Sequence, residues 1–230
     1  MSIDTTKTLR HIKKKLGASH HNIELLDNHI METVFQETLP IFSRYFPYFN
    51  RIVVTPSIDH VDGRAGIYYL KTPLDILGIS RVLVGNIVTH LTSISNFYSN
   101  PVDRQFLADL EGLVINPFTF KWWPPDKLEV FPKSLSYLEP FLVEVKCVHP
   151  KHLQTIPDTM REEFFKLAVY DVRDGLYQIR KRFSTLNTAF GNIELNMQDL
   201  EEAESKREEL LEKWKTNFIK SANRQKIFIY

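Results

Sequence analysis

Asp59, His60 and Asp62 place two carboxylates and an imidazole within four residues, a grouping that could hold a divalent cation or exchange protons with a substrate. The ligand count is short for calcium or magnesium. Asp and Gly residues running from Asp59 to Gly66 also make a turn that needs no metal to explain it. A hydrolase built on these residues lacks a recognisable nucleophile and base pair. Cys147 and His149 are the second candidate, as a thiol nucleophile with a base nearby. Alternation along Phe141–Cys147 puts Phe141, Val143, Val145 and Cys147 on one face and Glu144 and Lys146 on the other, which makes Cys147 a core residue. His20, His21 and His29 are explained by capping and surface roles. Trp122-Trp123-Pro124-Pro125 offers flat rings for a polyproline or sugar ligand, but such a cluster more often closes the end of a sheet against a helix. With only 8 glycines and no Walker-type or dinucleotide-binding motif, a phosphate-cradling loop is not expected. Paired-cysteine and zinc-protease patterns do not occur. The reading is therefore a non-enzyme with no catalytic, cofactor or metal residue.

Composition sets the frame for those residues. The 230 residues are 43% hydrophobic and 25% charged, enough for one large domain or two small ones. A net charge of +1 supplies no global pull toward nucleic acid or lipid. The 16 Phe, 9 Tyr and 3 Trp fit a large core or surfaces that become covered in an assembly. One cysteine excludes an internal disulfide, and no apolar run reaches spanning length or resembles a signal peptide, so a soluble protein that is not exported by the usual route is expected.

Local charge is less even. Residues 4–16 predict a short helix with Leu9, Ile12 and Leu16 inward and Arg10, Lys13, Lys14 and Lys15 outward, ended by Gly17. These cations complement a helix C-terminus as readily as they would meet phosphates. Seven acids lie between Asp199 and Glu212, and read as a solvated helix face. After Glu212 come Lys213, Lys215, Lys220, Arg224 and Lys226 with no acid, and then Ile227-Phe228-Ile229-Tyr230. A basic segment with an apolar, β-prone end calls for another chain.

The elements that carry these groups fall into three segments. Residues 1–50 read as helical, with Asp27 capping Asn28–Thr38, Ile30, Val34 and Thr38 on one face, and Pro40 perturbing or ending the helix before Ile41–Pro47. Residues 51–150 change to period two. Ile52–Val54, a turn at Asp59–Gly66 and a returning strand Ile67–Leu70 open this module. Ile79–Val84, Leu113–Ile115, Phe118–Trp122, Leu128–Phe131 and Phe141–Val148 continue it, with a short helix over 101–111 and no assignment for Asn86–Ser99. Residues 151–230 read as two long helices, an extended crossing at Phe190–Leu195, and an extended arm. In the first, capped by Asp158, Phe165, Ala168, Val172, Leu176, Ile179 and Phe183 make one stripe. In the second, with Asn196 as cap, Leu200, Ala203, Arg207, Leu210, Trp214 and Phe218 approximate a heptad interrupted by a charge. The fold class is α+β, a mixed or antiparallel β module inserted between N-terminal helices and a C-terminal long-helix hairpin. Strand and helix do not alternate, which argues against a doubly wound sheet.

The order of residues 14–18 (Lys-Lys-Leu-Gly-Ala), Ile23–Asp27, Leu39-Pro40-Ile41-Phe42-Ser43-Arg44-Tyr45-Phe46-Pro47, Phe165–Val172 and Asn187–Leu195 resembles the structural proteins of large tailed bacteriophages, those of the neck and head–tail connector or of the baseplate. The resemblance implies a virion building block assembled in the host cytoplasm, forming a symmetric ring with copies of itself and contacting neighbouring portal, tail or baseplate proteins. Nonspecific contact with packaged DNA is a further expectation, and no membrane is involved. Beside it stands a nucleic-acid-binding module using the basic termini, whose binding would weaken steeply with salt. The residues expected at a subunit interface are Arg173 and Arg180, on the polar face of the first long helix, with Lys213, Lys215, Phe218, Lys220, Arg224, Lys226, Ile227, Phe228, Ile229 and Tyr230.

Overall fold

Helical periodicity at both ends of the chain and strand periodicity between them sort into an α+β protein. A computed structural model describes residues 3–17, 25–62, 64–84, 119–131, 140–181, 185–188, 191–194 and 198–225, with the backbone alone at 83–84, 185–188, 191–194, 198–199 and 218–225. The chain divides into two compact units, Met1–Tyr48 with His149–Tyr230, and Phe49–Val148. The first and third sequence segments thus share one unit.

In the helical unit, α1 spans Thr5–Lys15. Asp4 caps it in an extended conformation, its carboxylate accepting from the Lys7 N–H at 2.7 Å, and Lys13–Lys15 occupy the last turn where the dipole favours cations. Gly17 leaves the helix at φ +84, a left-handed conformation open to glycine. Next, α2 (Asp27–Thr33) continues through a π turn (Val34–Thr38) into α3 (Leu39–Tyr45). Two expectations change here. Leu26 holds the cap position, while the Asp27 carboxylate pairs with Lys13 Nζ at 2.6 Å. Pro40 does not end the helix: the Leu39 N–H reaches back to the Val34 carbonyl, and this widened turn absorbs a residue that has no N–H and whose ring crowds the preceding turn.

The centre of the unit is α5 (Arg161–Lys181), led in by a 3-10 turn at Asp158–Met160. Pro157, not Asp158, takes the cap position of that turn. The buried set on α5 is Phe164, Phe165, Leu167, Ala168, Val169, Asp171, Val172 and Leu176, wider than one stripe because α1, α2, the π turn and α6 (Gln198–Gln225) all pack on it. Ile179 is only half-buried, and Phe183 lies outside the described residues. On α6, Ala203, Leu210 and Trp214 are buried and Leu200 and Arg207 half-buried, so the heptad seam lies against α5. Contacts from Glu163 to Trp214 and from Asp171 to Arg207 make the two helices antiparallel. Their connection is not a single extended crossing. It contains a hairpin of β8 (Thr185–Thr188) and β9 (Gly191–Glu194). The second long helix runs past Phe218, since α6 stays helical through Gln225. Asn196 and Lys226–Tyr230 lie outside the described residues.

The β unit holds β1 (Tyr48–Val54), a one-turn helix α4 (Pro56–Asp59), β2 (His60–Val61), β3 (Arg64–Tyr69), β4 (Ile76–Val84), β5 (Thr119–Trp123), β6 (Lys127–Phe131) and β7 (Phe141–Cys147). One sheet runs β1-β7-β4 and the other β2-β3-β6-β5. The expected return of Ile67–Leu70 onto Ile52–Val54 does not occur. Pro56 starts a helical turn that occupies the linker, and β3 pairs antiparallel with β2 and β6 while β1 lies beside β7. Residues on both faces of β7 are buried, and Glu144, reached by Arg51 and Arg81 from the flanking strands, is buried and not on an open face as alternation suggested. The Tyr68 and Phe141 rings, both fully buried, meet edge to face at 5.1 Å in the core. Asn86–Ser99, the helix expected over 101–111 and Leu113–Ile115 lie outside the described residues.

Candidate functional site

The groups that could have done chemistry are occupied by structure. Asp59 accepts from the Thr55 N–H at 2.8 Å and pairs with Lys71 Nζ at 2.7 Å. Burial opposes ionisation of this carboxyl, but the bonds from Lys71 and Thr55 outweigh it and hold its pKa below the ordinary value. His60 Nε2 stands 3.4 Å from Asp62 Oδ1 on the open surface. Among the described residues no group of three or more His, Cys, Asp or Glu is placed to hold a metal. Cys147 is fully buried, and burial with the nearby Asp75 charge pushes its thiol up to about 11, so it stays protonated and unreactive.

His149, the supposed partner of that thiol, is instead a buried pin. Its ring lies 2.9 Å from the Phe46 carbonyl through Nε2 and 2.8 Å from Thr155 Oγ1 through Nδ1. A carbonyl only accepts, so Nε2 carries the proton and Nδ1 accepts from Thr155. The His149 N–H donates to Ser43 Oγ, which donates to the Leu39 carbonyl. Burial lowers the His149 pKa despite the Phe46 bond. His29 is exposed on α2, and His20 and His21 lie outside the described residues. Trp122 and Trp123 end the outer strand β5, and Trp123 turns its ring to solvent, with Lys121 Nζ 4.0 Å from its centroid and its own N–H bonded to Glu129.

A buried polar triad was not foreseen. Asp171 accepts from Thr38 Oγ1 and from Arg207 Nε, both at 2.6 Å, tying the π turn, α5 and α6 together. Burial raises the Asp171 carboxyl against the pull of those two bonds. Arg207, the charge that seemed to interrupt the heptad, is thus the partner of a carboxylate on the facing helix. Two turns further along α6, Trp214 Nε1 donates to Glu163 at 2.9 Å, and its ring meets Phe42, Tyr45 and Phe46 edge-on.

The described residues of this unit also form open clefts. One, of about 400 Å³, lies between α1 and α5, with His11, Lys15, Phe165, Lys166, Val169 and Arg173 among its walls. The His11 ring stacks on Phe165 at 4.3 Å, and the Arg161 guanidinium stands 5.4 Å from the same ring. Burial first, then the charges of Lys15, Arg161 and Lys14, lowers the His11 pKa. The second, of about 520 Å³, is walled by Tyr45, Phe46, Met160, Lys213, Trp214 and Asn217.

The structure distributes the expected interface residues over this unit. Arg173 is half-buried and donates to the Lys15 carbonyl at 3.4 Å, and Arg180 is half-buried near the end of α5. Lys213 and Lys215 are exposed on α6, Lys215 pairing with Glu212 at 3.1 Å. Phe218, Lys220 and Arg224 follow on the same helix, and Lys226 and Ile227–Tyr230 lie outside the described residues. On the β unit, Phe49 and Val53 of β1 and Phe120 and Trp123 of β5 are exposed.

Among the described residues no helix is long and apolar enough to cross a membrane. No curated protein matches the sequence. A family model described as bacteriophage ring protein matches residues 2–230 and so takes in both units. The chain therefore belongs to the bacteriophage ring protein family, the ring-forming structural proteins of the phage virion.

Proposed function

We propose that the protein is a non-enzymatic component of the neck of a tailed bacteriophage, a ring of identical copies at the head–tail connector. The observation that carries the ring is the family match over residues 2–230. The neck is one of the two places, with the baseplate, to which the resemblance of residues 14–18, Ile23–Asp27, Leu39–Pro47, Phe165–Val172 and Asn187–Leu195 to tailed-phage structural proteins points. A building role is supported by the use of Asp171, Glu163, Glu144 and His149, each bonded between separate parts of the chain. Subunits associate through the polar face of α5 at Arg173 and Arg180. They also use the end of α6, through Lys213, Lys215, Phe218, Lys220 and Arg224, and the residues that follow it, Lys226, Ile227, Phe228, Ile229 and Tyr230. Exposed Phe49, Val53, Phe120 and Trp123 suit contacts with portal or tail neighbours. Assembly proceeds in the host cytoplasm, and the channel side of the ring makes nonspecific contact with packaged DNA.

Localising the protein in intact particles by cryo-EM density tests the position. Density between portal and tail is expected, and density confined to the distal baseplate would overturn the neck assignment. Deleting residues 221–230 should leave a folded protomer that forms no ring. A truncated chain that still assembles fully would remove the C-terminal segment from the interface.

A further inference from the structure

We propose that neighbouring subunits of the ring meet through opposite charge, the basic cleft between α1 and α5 of one copy receiving the acidic outer face of α6 of the next. The proposal rests on the ring reading and names the two faces that make the contact.

The cleft has an apolar floor at Phe165 and Val169 and a cationic rim. Lys14 and Lys15 are exposed at the end of α1, Lys166, whose Nζ also reaches Glu163 at 2.9 Å within its own helix, and Arg173 line the α5 side, and Arg161 covers the Phe165 ring. The α6 face is its complement. Glu202 and Glu212 are paired within their own helix, to Lys206 and Lys215. Glu201, Glu204 and Glu208 are exposed and have no ion pair among the described residues. Glu201 lies two residues from the buried Ala203 and Glu208 two from the buried Leu210, about 200° around the helix, so both are on the side of α6 turned away from those residues.

Spacing and placement agree as well. Lys166 to Arg173 and Glu201 to Glu208 are both two helical turns, about 10 Å, so two cations on one face can meet two carboxylates on the other. On α5, Phe165 and Arg173 face α1, whereas Glu163 and Asp171, again two residues away, face α6. The basic and acidic faces therefore lie on opposite sides of the same unit. A contact between two different faces is heterologous, and it generates a ring when its rotation closes. Phosphate is the competing occupant of a basic cleft. The apolar floor and the Glu162 carboxylate on its wall favour a protein helix over a nucleic-acid backbone.

Charge reversal in the full chain tests the contact, with ring formation followed by sedimentation and electron microscopy. Lys14→Glu with Lys15→Glu, and separately Glu201→Lys with Glu208→Lys, alter only exposed side chains and should leave the protomer folded, with a small loss of melting temperature because both pairs now oppose a helix dipole. Each pair should weaken assembly at least tenfold, and the four substitutions together should recover part of it, since the two new carboxylates on the α1 side of the rim then meet the two new lysines of α6. Wild-type rings should also loosen as salt rises. Rings of undiminished affinity from either pair would overturn the proposal, as would failure of the folded fourfold variant to recover. Loss of DNA binding by the lysine pair with rings intact would assign the cleft to nucleic acid instead. A wild-type protein that stays monomeric at every concentration would defeat the ring reading itself, and this contact with it.

Discussion

Asp171 in the helical unit and Glu144 in the β unit are both buried carboxylates held by arginine, but they are held differently. The Asp171 side chain is 1% exposed and its Arg207 partner comes from a helix packed face to face. Glu144 is reached by Arg51 and Arg81 from the two flanking strands, and both arginines are about a third exposed. Arg81 is the register partner of Glu144 in the β4–β7 ladder. Strand register alone brings that pair together, and water reaches it. The Asp171 triad exists only when three helical elements have docked. Charge in the β unit follows from pairing, and charge in the helical unit reports packing.

The two tryptophans offer the largest test of that difference. Trp214 is 4% exposed within an aromatic cluster, whereas Trp123 is 44% exposed on an outer strand. Trp214→Ala should cost about 3–5 kcal/mol through lost burial and a cavity. Trp123→Ala should stay within about 0.5 kcal/mol, as surface substitutions do. Chemical denaturation of both variants checks the ranking, and equal costs would break the comparison.

The arginines come next. Arg207→Ala leaves Asp171 buried beside Thr38 alone, and about 3 kcal/mol of stability should be lost. Arg81→Ala removes a screened partner and leaves Arg51 in place, for about 1 kcal/mol or less. A larger loss at Arg81 would mean that the β unit also relies on its buried charge.

The smallest effect is a pH dependence at His149. Its folded pKa is lowered by burial while the unfolded histidine titrates near 6.5, so the unfolded chain takes up the proton first. The stability that His149 contributes is present above about 6.5 and is lost as pH falls below it. The wild-type denaturation midpoint should drop through this range more than that of His149→Gln, a comparison that cancels the carboxylates. Parallel curves would show that the imidazole is not held neutral.

How far the sequence could reveal this follows from the same contrast. Phe165, Ala168, Val172 and Leu176 repeat with the helical period, and Ala203, Leu210 and Trp214 with the heptad, so both long helices were legible. Phe141–Cys147 and Ile79–Val84 were legible as strands. Their partners were not, because nothing local in Ile52–Val54 says that it lies beside β7 and not beside β3. Arg207 looked like a flaw in the seam because its partner sits 36 residues away on another helix. Pro40 looked like a possible stop because a π turn has no sequence period of its own. Lys14, Lys15 and the acids of α6 could be read as charge, but which way each faces depends on the docking of α1 and α6 onto α5.

Hydrogen exchange of the assembled protein against the salt-dissociated protomer addresses the central claim most directly, that the charged faces of the helical unit build the ring. Peptides covering Thr5–Lys15, the Arg161–Arg173 stretch of α5 and the first turns of α6 should slow on assembly, while those of β5 and β6 stay as they are. Slowing confined to the β unit, with α1 and α6 unchanged, would contradict the account.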